Sequence, residues 1–179
     1  YRGSMILKCN NLVDKELVKK LYEASQAGVK IQLIVRGMCS LLPGVKDISE
    51  NIKAISIVDR YLEHARVYVF HNRGKPRYLF GSADLMTRNL DFRVEVLCPI
   101  LDDDAKRVIQ DILDQQWHDN VKARVLDSKQ KNTYVPAGKN ATKIRSQESI
   151  HTYMDTGKLP RYPNSKMDQP ARRRRQTKR

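Results

Sequence analysis

Three short segments of the sequence carry side chains suited to binding and moving phosphate groups. The first is Arg36-Gly37, which follows the apolar residues 33–35. A guanidinium offers a planar pair of donors that fits phosphate oxygens, and the sites of parallel sheets lie beyond the carboxyl ends of their strands. On these residues alone, Arg36 could equally leave the core at a strand end and pair with a nearby acid.

The second segment places His64 two residues before Arg66, at the entry to a strand-like alternation. Residues two apart in an extended chain face the same side. Histidine is a side chain that exchanges protons near neutral pH, and the adjacent cation could hold a phosphate beside it. Glu63 or another acid could orient the ring. A lone histidine at a strand edge is more often structural or solvated, so that alternative stays open here.

The third segment runs from Gly81-Ser82 through Asp84 to Arg88 and Asn89. A Gly-Ser pair after a strand, followed by short polar residues, is typical of a loop that lines a polar pocket. The same residues also fit a capped turn, in which Ser82 or Asp84 begins a helical turn.

The elements that must position these segments are predicted from the spacing of apolar residues. Helices are predicted from Asp14 to about Gln26, from the acidic run at 102–104 onward, and at 146–154. Strands are predicted at residues 5–8, 30–36, 55–58, 66–70, 78–81 and 93–97, with a hairpin turn at 72–76. The first strand, helix and strand imply a parallel pair. We therefore predict an α/β fold whose mixed, mostly parallel sheet is flanked by helices.

The basic charge of the chain is concentrated in its last third. Of 34 Lys and Arg and 20 Asp and Glu residues, residues 121–179 hold 16 basic and only 4 acidic ones. Residues 157–179 lack apolar periodicity, so we predict one folded domain at 1–156 and a basic, disordered tail at 157–179. A basic field attracts nucleic acid, polyphosphate, nucleotides or anionic lipid without selecting among them.

Several classes of site and location are excluded. Cys9, Cys39 and Cys98 are odd in number and widely spaced, which fits neither a zinc site nor a disulfide framework. No apolar run reaches the roughly 18 residues that a membrane span needs. We expect a cytoplasmic protein, with a peripheral position at the membrane as the alternative. The start at Tyr1, without a signal peptide and close to the first strand, indicates a fragment.

Taken together and in unbroken order, these segments resemble the motifs of the last domain of bacterial polyphosphate kinases. The matching segments are residues 10–14 (NNLVD), 33–40 (LIVRGMCS), 54–64 (AISIVDRYLEH) and 82–89 (SADLMTRN). The similarity continues through residues 121–124 and 134–136 and covers roughly residues 4–150.

The resemblance implies a phospholipase-D-like fold and a divided site. In that family two similar α/β domains face each other, and each brings one histidine to the shared site. The histidine of the preceding domain takes the terminal phosphate of ATP and passes it to a growing polyphosphate chain. This sequence would then hold only the second domain of an ATP:polyphosphate phosphotransferase, and the isolated chain is expected to be inactive.

The resemblance also implies roles for individual residues. His64 matches the second histidine, the catalytic helper of the phosphorylated one and a contact to the nucleotide phosphates, and Arg36 matches an arginine that binds ATP phosphate. The predicted ATP- and phosphate-binding residues are Arg36, His64, Arg66, Ser82, Asp84, Arg88 and Asn89. No metal ligand is predicted in this chain, because the ligands of the Mg²⁺ that accompanies ATP are expected in the upstream part.

The partners that the resemblance implies are ATP, inorganic polyphosphate, the upstream domains of the same enzyme and further copies in a homo-oligomer. No specific nucleic acid is among them. Two alternatives remain: a phospholipase-D-like phosphodiesterase half-site completed by a second copy, and a non-enzymatic polyanion-binding module driven by the tail. The phospholipase D pattern requires His-x-Lys and an Asp five residues after the Lys, but here Arg66 and His71 stand at those places. Gly81-Ser82-x-Asp84 only approximates its Gly-Ser-x-Asn.

Overall fold

The structure, a computed structural model, describes residues 3–138, 141–160 and 162. Its strands are β1 (Ser4–Cys9), β2 (Lys30–Val35), β3 (Ile52–Ile57), β4 (Arg66–Phe70), β5 (Arg77–Gly81), β6 (Leu97–Ile100) and β7 (Ala123–Leu126). Its helices are α1 (Lys15–Gln26), α2 (Thr87–Asp91), α3 (Asp103–Trp117) and α4 (Ser146–Thr156), with a short 3₁₀ turn at Asn72–Gly74. The described strands form one sheet in the order β6-β5-β4-β1-β2-β3-β7.

The sheet is mixed, as predicted, but the expectation that it is mostly parallel is wrong. Only the β1–β2 and β2–β3 pairs are parallel, whereas β1–β4, β4–β5, β5–β6 and β3–β7 are antiparallel. The physical reason lies in the connections, because parallel neighbours need a long crossover and a tight turn reverses the chain. The helical crossover through α1 links β1 to β2, while the predicted hairpin turn at 72–76 links β4 to β5.

The sheet has an apolar cluster on each face. Successive residues of one strand belong to different clusters. Leu33 packs on the α1 side with Leu21, and the next residue, Ile34, packs on the α3 side with Leu113. Both helices begin where the sequence predicts. Asp14 caps α1 by accepting a hydrogen bond from the Leu17 N–H at 2.8 Å, and Asp102 caps α3 in the same way. The domain is therefore a sheet between two amphipathic helices.

Apart from one-residue shifts at strand ends, three strands differ from the sequence prediction, and the first is β3, which spans Ile52–Ile57 where residues 55–58 were predicted. The strand predicted at 93–97 instead lies at Leu97–Ile100, because residues 93–96 form an irregular connection whose Glu95 bonds side chains elsewhere. Strand β7, at one edge of the sheet, is only four residues long and was not predicted. Its identity as a strand depends on pairing with β3, which lies far away in sequence.

A buried carboxylate joins β7 to α4. Asp119 is fully buried and accepts hydrogen bonds from three successive backbone N–H groups at residues 121–123. Its other oxygen accepts from the N–H and the hydroxyl of Ser146, both at 2.7 Å. The start of α4 is thereby fixed against the sheet, and α4 covers the whole range predicted as a short helix, 146–154, and extends two residues beyond it.

The predicted tail is only partly within the described residues. Residue 161 and residues 163–179 lie outside them, so the prediction of disorder there stays a prediction. Tyr162, which falls in the predicted tail, stacks its ring on His118 with 4.5 Å between ring centroids. Among the helices that the structure describes, none combines the length and apolar character needed to cross a membrane.

Candidate functional site

The three chemically suggestive segments meet at one edge of the sheet. Strands β1 and β2 are parallel and both end there, at Cys9 and Val35. Strand β4 is antiparallel to β1, so its first residue, Arg66, starts at the same edge. Arg66 in turn pairs with Gly81, the last residue of β5. The topology therefore brings into one site three segments of which the first and the last are more than 40 positions apart in the sequence.

The loop after β1 is the centre of this site. The N–H of Gly37 donates to the Asn10 carbonyl at 2.7 Å, and the N–H of Leu85 donates to the Asn11 carbonyl at 3.0 Å. A side chain at position 37 would place its Cβ 2.7 Å from Asn11 Oδ1 and 3.0 Å from the Asn10 carbonyl oxygen. Glycine is therefore needed here for the loop and the Arg36 segment to approach each other.

Arg66 and Asp84 form a buried ion pair inside the site. Arg66 Nε lies 3.3 Å from Asp84 Oδ1, and Arg66 Nη2 lies 3.2 Å from Oδ2. The Asp84 carboxylate also accepts from the backbone N–H groups of Asn10 and Asn11, at 2.8 and 3.3 Å. Burial acts to raise the pKa of the Asp84 carboxyl, but the bonds from Arg66 and from the backbone outweigh it and hold that pKa below its ordinary value.

His64 is exposed and is held by Arg66. Arg66 Nη1 lies 3.1 Å from His64 Nδ1 and 3.3 Å from the His64 carbonyl oxygen. Because a guanidinium can only donate, Nδ1 must accept this bond, and the neutral ring carries its proton on Nε2. The predicted pairing of His64 with Arg66 is thus a direct contact that fixes the tautomer.

Glu63, which the sequence analysis named as a candidate to orient the ring, has another role in the structure. Its carboxylate accepts from Lys8 Nζ at 3.0 Å, Gln116 Nε2 at 2.7 Å and Gln147 Nε2 at 2.9 Å. The imidazole ring of His64 is bonded to the basic residue Arg66. Glu63 instead fixes the backbone before His64 against β1, α3 and α4.

A second set of contacts ties the same segment to the start of α4. Arg145 donates through Nε and Nη2 to the two oxygens of Asp59, at 2.8 and 2.7 Å. The Gln147 side chain exchanges two hydrogen bonds with the backbone of Tyr61. The Arg145 bonds lower the pKa of the Asp59 carboxyl despite its burial. The loop that carries His64 is therefore braced from both ends.

Arg36 lies at the end of β2 with one side of its guanidinium occupied. Its Nε donates to Asn10 Oδ1 at 3.0 Å, and its carbonyl accepts from the Ser56 hydroxyl at 3.1 Å. Among the described residues, neither Nη group of Arg36 has a hydrogen-bond or ion-pair partner. The fork of the guanidinium is thus open to a ligand, and the nearby-acid alternative has no support in these contacts.

Ser82 and Asn89 are gathered by a residue that sequence reasoning missed. Glu95 accepts from the Ser82 hydroxyl through one oxygen and from Asn89 Nδ2, at 2.6 Å, through the other. These two bonds lower the pKa of the Glu95 carboxyl. Glu95 carried no sequence signal, because it lay inside a predicted strand. Ser82 is exposed, whereas Asn89 is buried.

The remaining predicted residues fall into two groups. Arg88, in the first turn of α2, is exposed, and its guanidinium has no partner among the residues described. Asp84 is buried beneath the site, and its carboxylate would repel an anionic phosphate. It is better suited to hold Arg66 in place. Cys9 lies buried beside Asp84. Burial, and then the nearby carboxylate, raise the pKa of its thiol to about 12, which excludes a thiolate nucleophile there at neutral pH.

Metal ligands are not gathered in this site. Within the described ranges, no group of three or more His, Cys, Asp or Glu side chains is arranged to hold a metal ion. The predicted residues instead present the open guanidinium groups of Arg36 and Arg88 and an imidazole with its proton on Nε2. These are donors for an anionic oxygen-rich ligand such as a phosphate.

A family model and similar curated proteins point to the same family. The family model described as polyphosphate kinase C-terminal domain 2 matches residues 1–147. The polyphosphate kinase of Vibrio cholerae is 54% identical over 153 residues, which is 86% of this chain and 22% of that protein. The polyphosphate kinase of Escherichia coli is 53% identical over 158 residues, covering 88% of this chain and 23% of that protein. The chain thus spans less than a quarter of the length of the relatives it matches.

Solved structures agree on the fold. The crystal structure of polyphosphate kinase from Porphyromonas gingivalis superposes with a TM-score of 0.84 at 46% identity, over 87% of this chain and 24% of that one. Nuc from Salmonella typhimurium, a member of the phospholipase D family, superposes with a TM-score of 0.53 at 14% identity, over 70% of this chain and 82% of that one. The second likeness concerns the fold alone, and it confirms the predicted phospholipase-D-like architecture.

Proposed function

The chain belongs to the polyphosphate kinase C-terminal domain family, and from that premise we propose that it forms one half of a site that transfers the terminal phosphate of ATP to inorganic polyphosphate. The observation that carries the proposal is the position of His64. Its ring is exposed at the edge of the sheet, and Arg66 fixes its proton on Nε2. We propose that this N–H donor and the open fork of Arg36 bind the same phosphate in transfer.

The proposed roles follow from what phosphoryl transfer requires. Such a reaction needs a nucleophile, an in-line leaving group and positive charge around the equatorial oxygens. Arg36 and Arg88 supply positive charge through guanidinium groups that are open in the structure. His64 Nε2–H donates to an oxygen of the phosphate being moved. Arg66 acts chiefly through His64, since its Nε and Nη2 are committed to Asp84.

Ser82 and Asn89 have an indirect role in this proposal. Both are bonded to Glu95, and their donors point to its carboxylate. They therefore shape the wall of the site on the β5 side. The charge of Glu95 repels phosphate, so it helps to confine the phosphate to the side of the site where Arg36 and His64 lie.

The nucleophile belongs, in this proposal, to the upstream part of the enzyme. His64 has its Nδ1 occupied by Arg66 and is suited to donate from Nε2, whereas a nucleophilic histidine needs a free lone pair. The Mg²⁺ that accompanies ATP bridges phosphate oxygens and neutralises their charge. We assign its protein ligands to the upstream part as well, as the family resemblance implies.

An exposed apolar surface beside the site supports a partner domain there. Phe92 is 81% exposed and Val94 is fully exposed in the connection that leads to β6. Phe80 and Val96, on the same β5–β6 side of the site, are exposed as well. Apolar patches of this kind mark interaction surfaces. We propose that the upstream domains of the same polypeptide cover this surface and bring their histidine opposite His64.

The other two candidate functions have no observation in their favour. The Asp of the phospholipase D pattern is replaced by His71, which lies just beyond β4 at the end opposite Arg66. The polyanion-binding module depends on the tail at 157–179, of which only residues 157–160 and 162 are described.

The proposed function is tested by comparing two proteins with ATP labelled on its terminal phosphate. The full-length enzyme is expected to form labelled polyphosphate, and the 179-residue chain is expected to form none, since it lacks the opposed nucleophile. Robust synthesis by the isolated chain would contradict the division of roles, as would labelled phosphate held stably on His64.

A further inference from the structure

A buried asparagine lies between the two arms of the proposed site. Asn10 directly follows β1 and is only 1% exposed. Its Oδ1 accepts from Arg36 Nε at 3.0 Å, and its Nδ2 donates to the two oxygens of Asp84 at 3.2 and 3.4 Å. Asp84 holds Arg66, and Arg66 holds His64. A continuous chain of hydrogen bonds therefore runs from Arg36 through Asn10 to His64.

The orientation of the Asn10 amide is fixed by its neighbours. Arg36 can only donate, so the carbonyl end must face it. Asp84, with its lowered pKa, is a carboxylate that can only accept, so the NH₂ end must face that side. The Asn10 backbone is committed as well, because its N–H donates to Asp84 at 2.8 Å and its carbonyl accepts from Gly37. Little freedom is left at this position.

We propose that Asn10 is a positioning residue that couples Arg36 to the Asp84–Arg66–His64 arm, so that both arms address one phosphate group as a unit. This inference rests on the proposed function. Holding Nε of Arg36 turns the two Nη groups toward the ligand. Holding Asp84 stabilises the cation that fixes the tautomer of His64.

The chemistry of the position explains why an amide is suited to it. Alanine would leave Arg36 Nε and one side of Asp84 without their partner. Aspartate would still accept from Arg36 but would set a second carboxylate against Asp84. The two substitutions therefore separate the two ends of the coupling: Asn10→Ala breaks both ends, and Asn10→Asp breaks only the Asp84 end.

The kinetic test uses the full-length enzyme. A hydrogen bond to a charged group is worth a factor on the order of tenfold in binding, so Asn10→Ala should raise the KM for ATP by about that factor. In an Arg36→Ala background, Asn10→Ala should add less than about twofold, because the group that it positions is gone. Asn10→Asp should keep the KM for ATP within about twofold of wild type and lower kcat by tenfold or more, since only the His64 arm is disturbed.

The matched control is Asn51→Ala. Asn51 also bridges two segments through its side chain, accepting from Lys30 Nζ at 2.6 Å and donating to the Ser25 carbonyl at 2.9 Å. It lies at the opposite edge of the sheet, where β2 and β3 begin. Asn51→Ala should lower the melting temperature and leave KM and kcat per folded molecule unchanged. The proposal would be overturned if Asn10→Ala and Arg36→Ala raised the KM for ATP independently, so that their effects multiplied in the double variant. A KM for Asn10→Ala equal to that of wild type would overturn it as well.

A second readout does not depend on activity. In the chain labelled with ¹⁵N-arginine, the Nε–H signal of Arg36 is identified by its absence in Arg36→Lys. This signal should move to the position of a free guanidinium in Asn10→Ala and stay in place in Asn51→Ala. An unmoved signal in Asn10→Ala overturns the coupling. A full-length enzyme that makes no polyphosphate while the signal does move would reject the proposed function and leave the coupling intact.

Discussion

Arg66 Nη1 donates to His64 Nδ1 across 3.1 Å, although Arg66 is positively charged and His64 is also a basic residue. The contact is stable because the charge of Arg66 is already paired with the buried carboxylate of Asp84. The imidazole is thus left to act through Nε2, on its exposed side. In the proposed site, the charged pair beneath His64 fixes the geometry of the ring, and the binding of phosphate is assigned to Arg36 and Arg88.

The function of Arg36 should depend on the planar shape of its guanidinium group as well as on its charge. In the full-length enzyme, Arg36→Ala should raise the KM for ATP and lower turnover, and Arg36→Lys should restore only part of the loss, because an ammonium cannot replace a planar fork. Arg73→Lys, in the turn at the far end of β4, is the control and should match wild type. If Arg36→Lys also matches wild type, Arg36 provides charge alone and the proposed fork contact is wrong.

The stability of the chain should depend on pH through Asp84. The folded carboxyl has a lowered pKa, so its contribution is fully present above the ordinary value of about 3.9 and is lost as the pH falls through the folded value. At pH 7, Asp84→Asn should lower the free energy of unfolding by about 1–3 kcal/mol, because the partly buried Arg66 loses its charged partner while its bonds to His64 remain. Urea unfolding should show this difference shrinking below about pH 4.

Asp91→Asn is the control for the pH experiment. Asp91 is exposed at the end of α2, and its replacement should change the unfolding free energy little at any pH. A difference between wild type and Asp84→Asn that stays constant from pH 7 to pH 3 would show that the carboxylate contributes nothing through its charge.

Local signals in the sequence predicted the elements well. The cap at Asp14, the Gly28 that follows α1 and the acidic start of α3 are all properties of neighbouring residues, and both helices occur where these signals place them. The bounds of β4 agree with the predicted 66–70, where β-branched and aromatic residues follow one another without a break. These features need no knowledge of distant contacts.

Contacts between distant residues could not be predicted in this way. Asn10 lies 74 positions from Asp84, and Asp59 lies 86 positions from Arg145. No periodicity indicates which polar side chains will meet across such a separation. The same limit explains the wrong sheet direction and the missed Glu95, since both depend on which strands and loops become neighbours in the fold.

The apolar surface beside the site should be needed in the full-length enzyme. Val94→Asp places a charge on the surface that we assign to the upstream domains, so it should reduce turnover and increase hydrogen exchange of residues 92–97 in that enzyme. The melting temperature of the isolated chain should not change, because Val94 is already exposed there. Met154→Asp, on the exposed face of α4, is the control.

Two outcomes would contradict this assignment. Equal effects of Val94→Asp and Met154→Asp would show that the surface has no special role. If Val94→Asp instead gives a smaller oligomer and leaves the hydrogen exchange at the contacts between domains of one polypeptide unchanged, a second copy covers the surface.

The last residues should separate into a packed part and a part that adds no stability. A chain that ends at residue 162 keeps the Tyr162–His118 stack and should melt within about one degree of the whole chain, since residues 163–179 lack apolar periodicity. Tyr162→Ala should lower the melting temperature by about 2–4 °C, as expected for the loss of one aromatic pair in a domain of this size. A large drop on removing residues 163–179 alone would show that they pack.

His64 gives the sharpest test of the site, because its catalytic and structural interpretations predict opposite results. Its ring is exposed, and its contact at Nδ1 is to an Arg66 that Asp84 holds independently. His64→Ala should therefore cost little stability. It should lower turnover of the full-length enzyme by about 10²–10⁴, the usual contribution of a group that donates a proton in the transition state. His64→Gln, which keeps an amide donor, should recover a small part of that loss.

The matched control is His71→Ala, just beyond the opposite end of β4, which should leave turnover near normal. Melting and turnover must be measured on the same samples. If His64 is structural, the melting temperature falls clearly and turnover follows the folded fraction. Near-normal turnover per folded molecule in His64→Ala would reject the catalytic role.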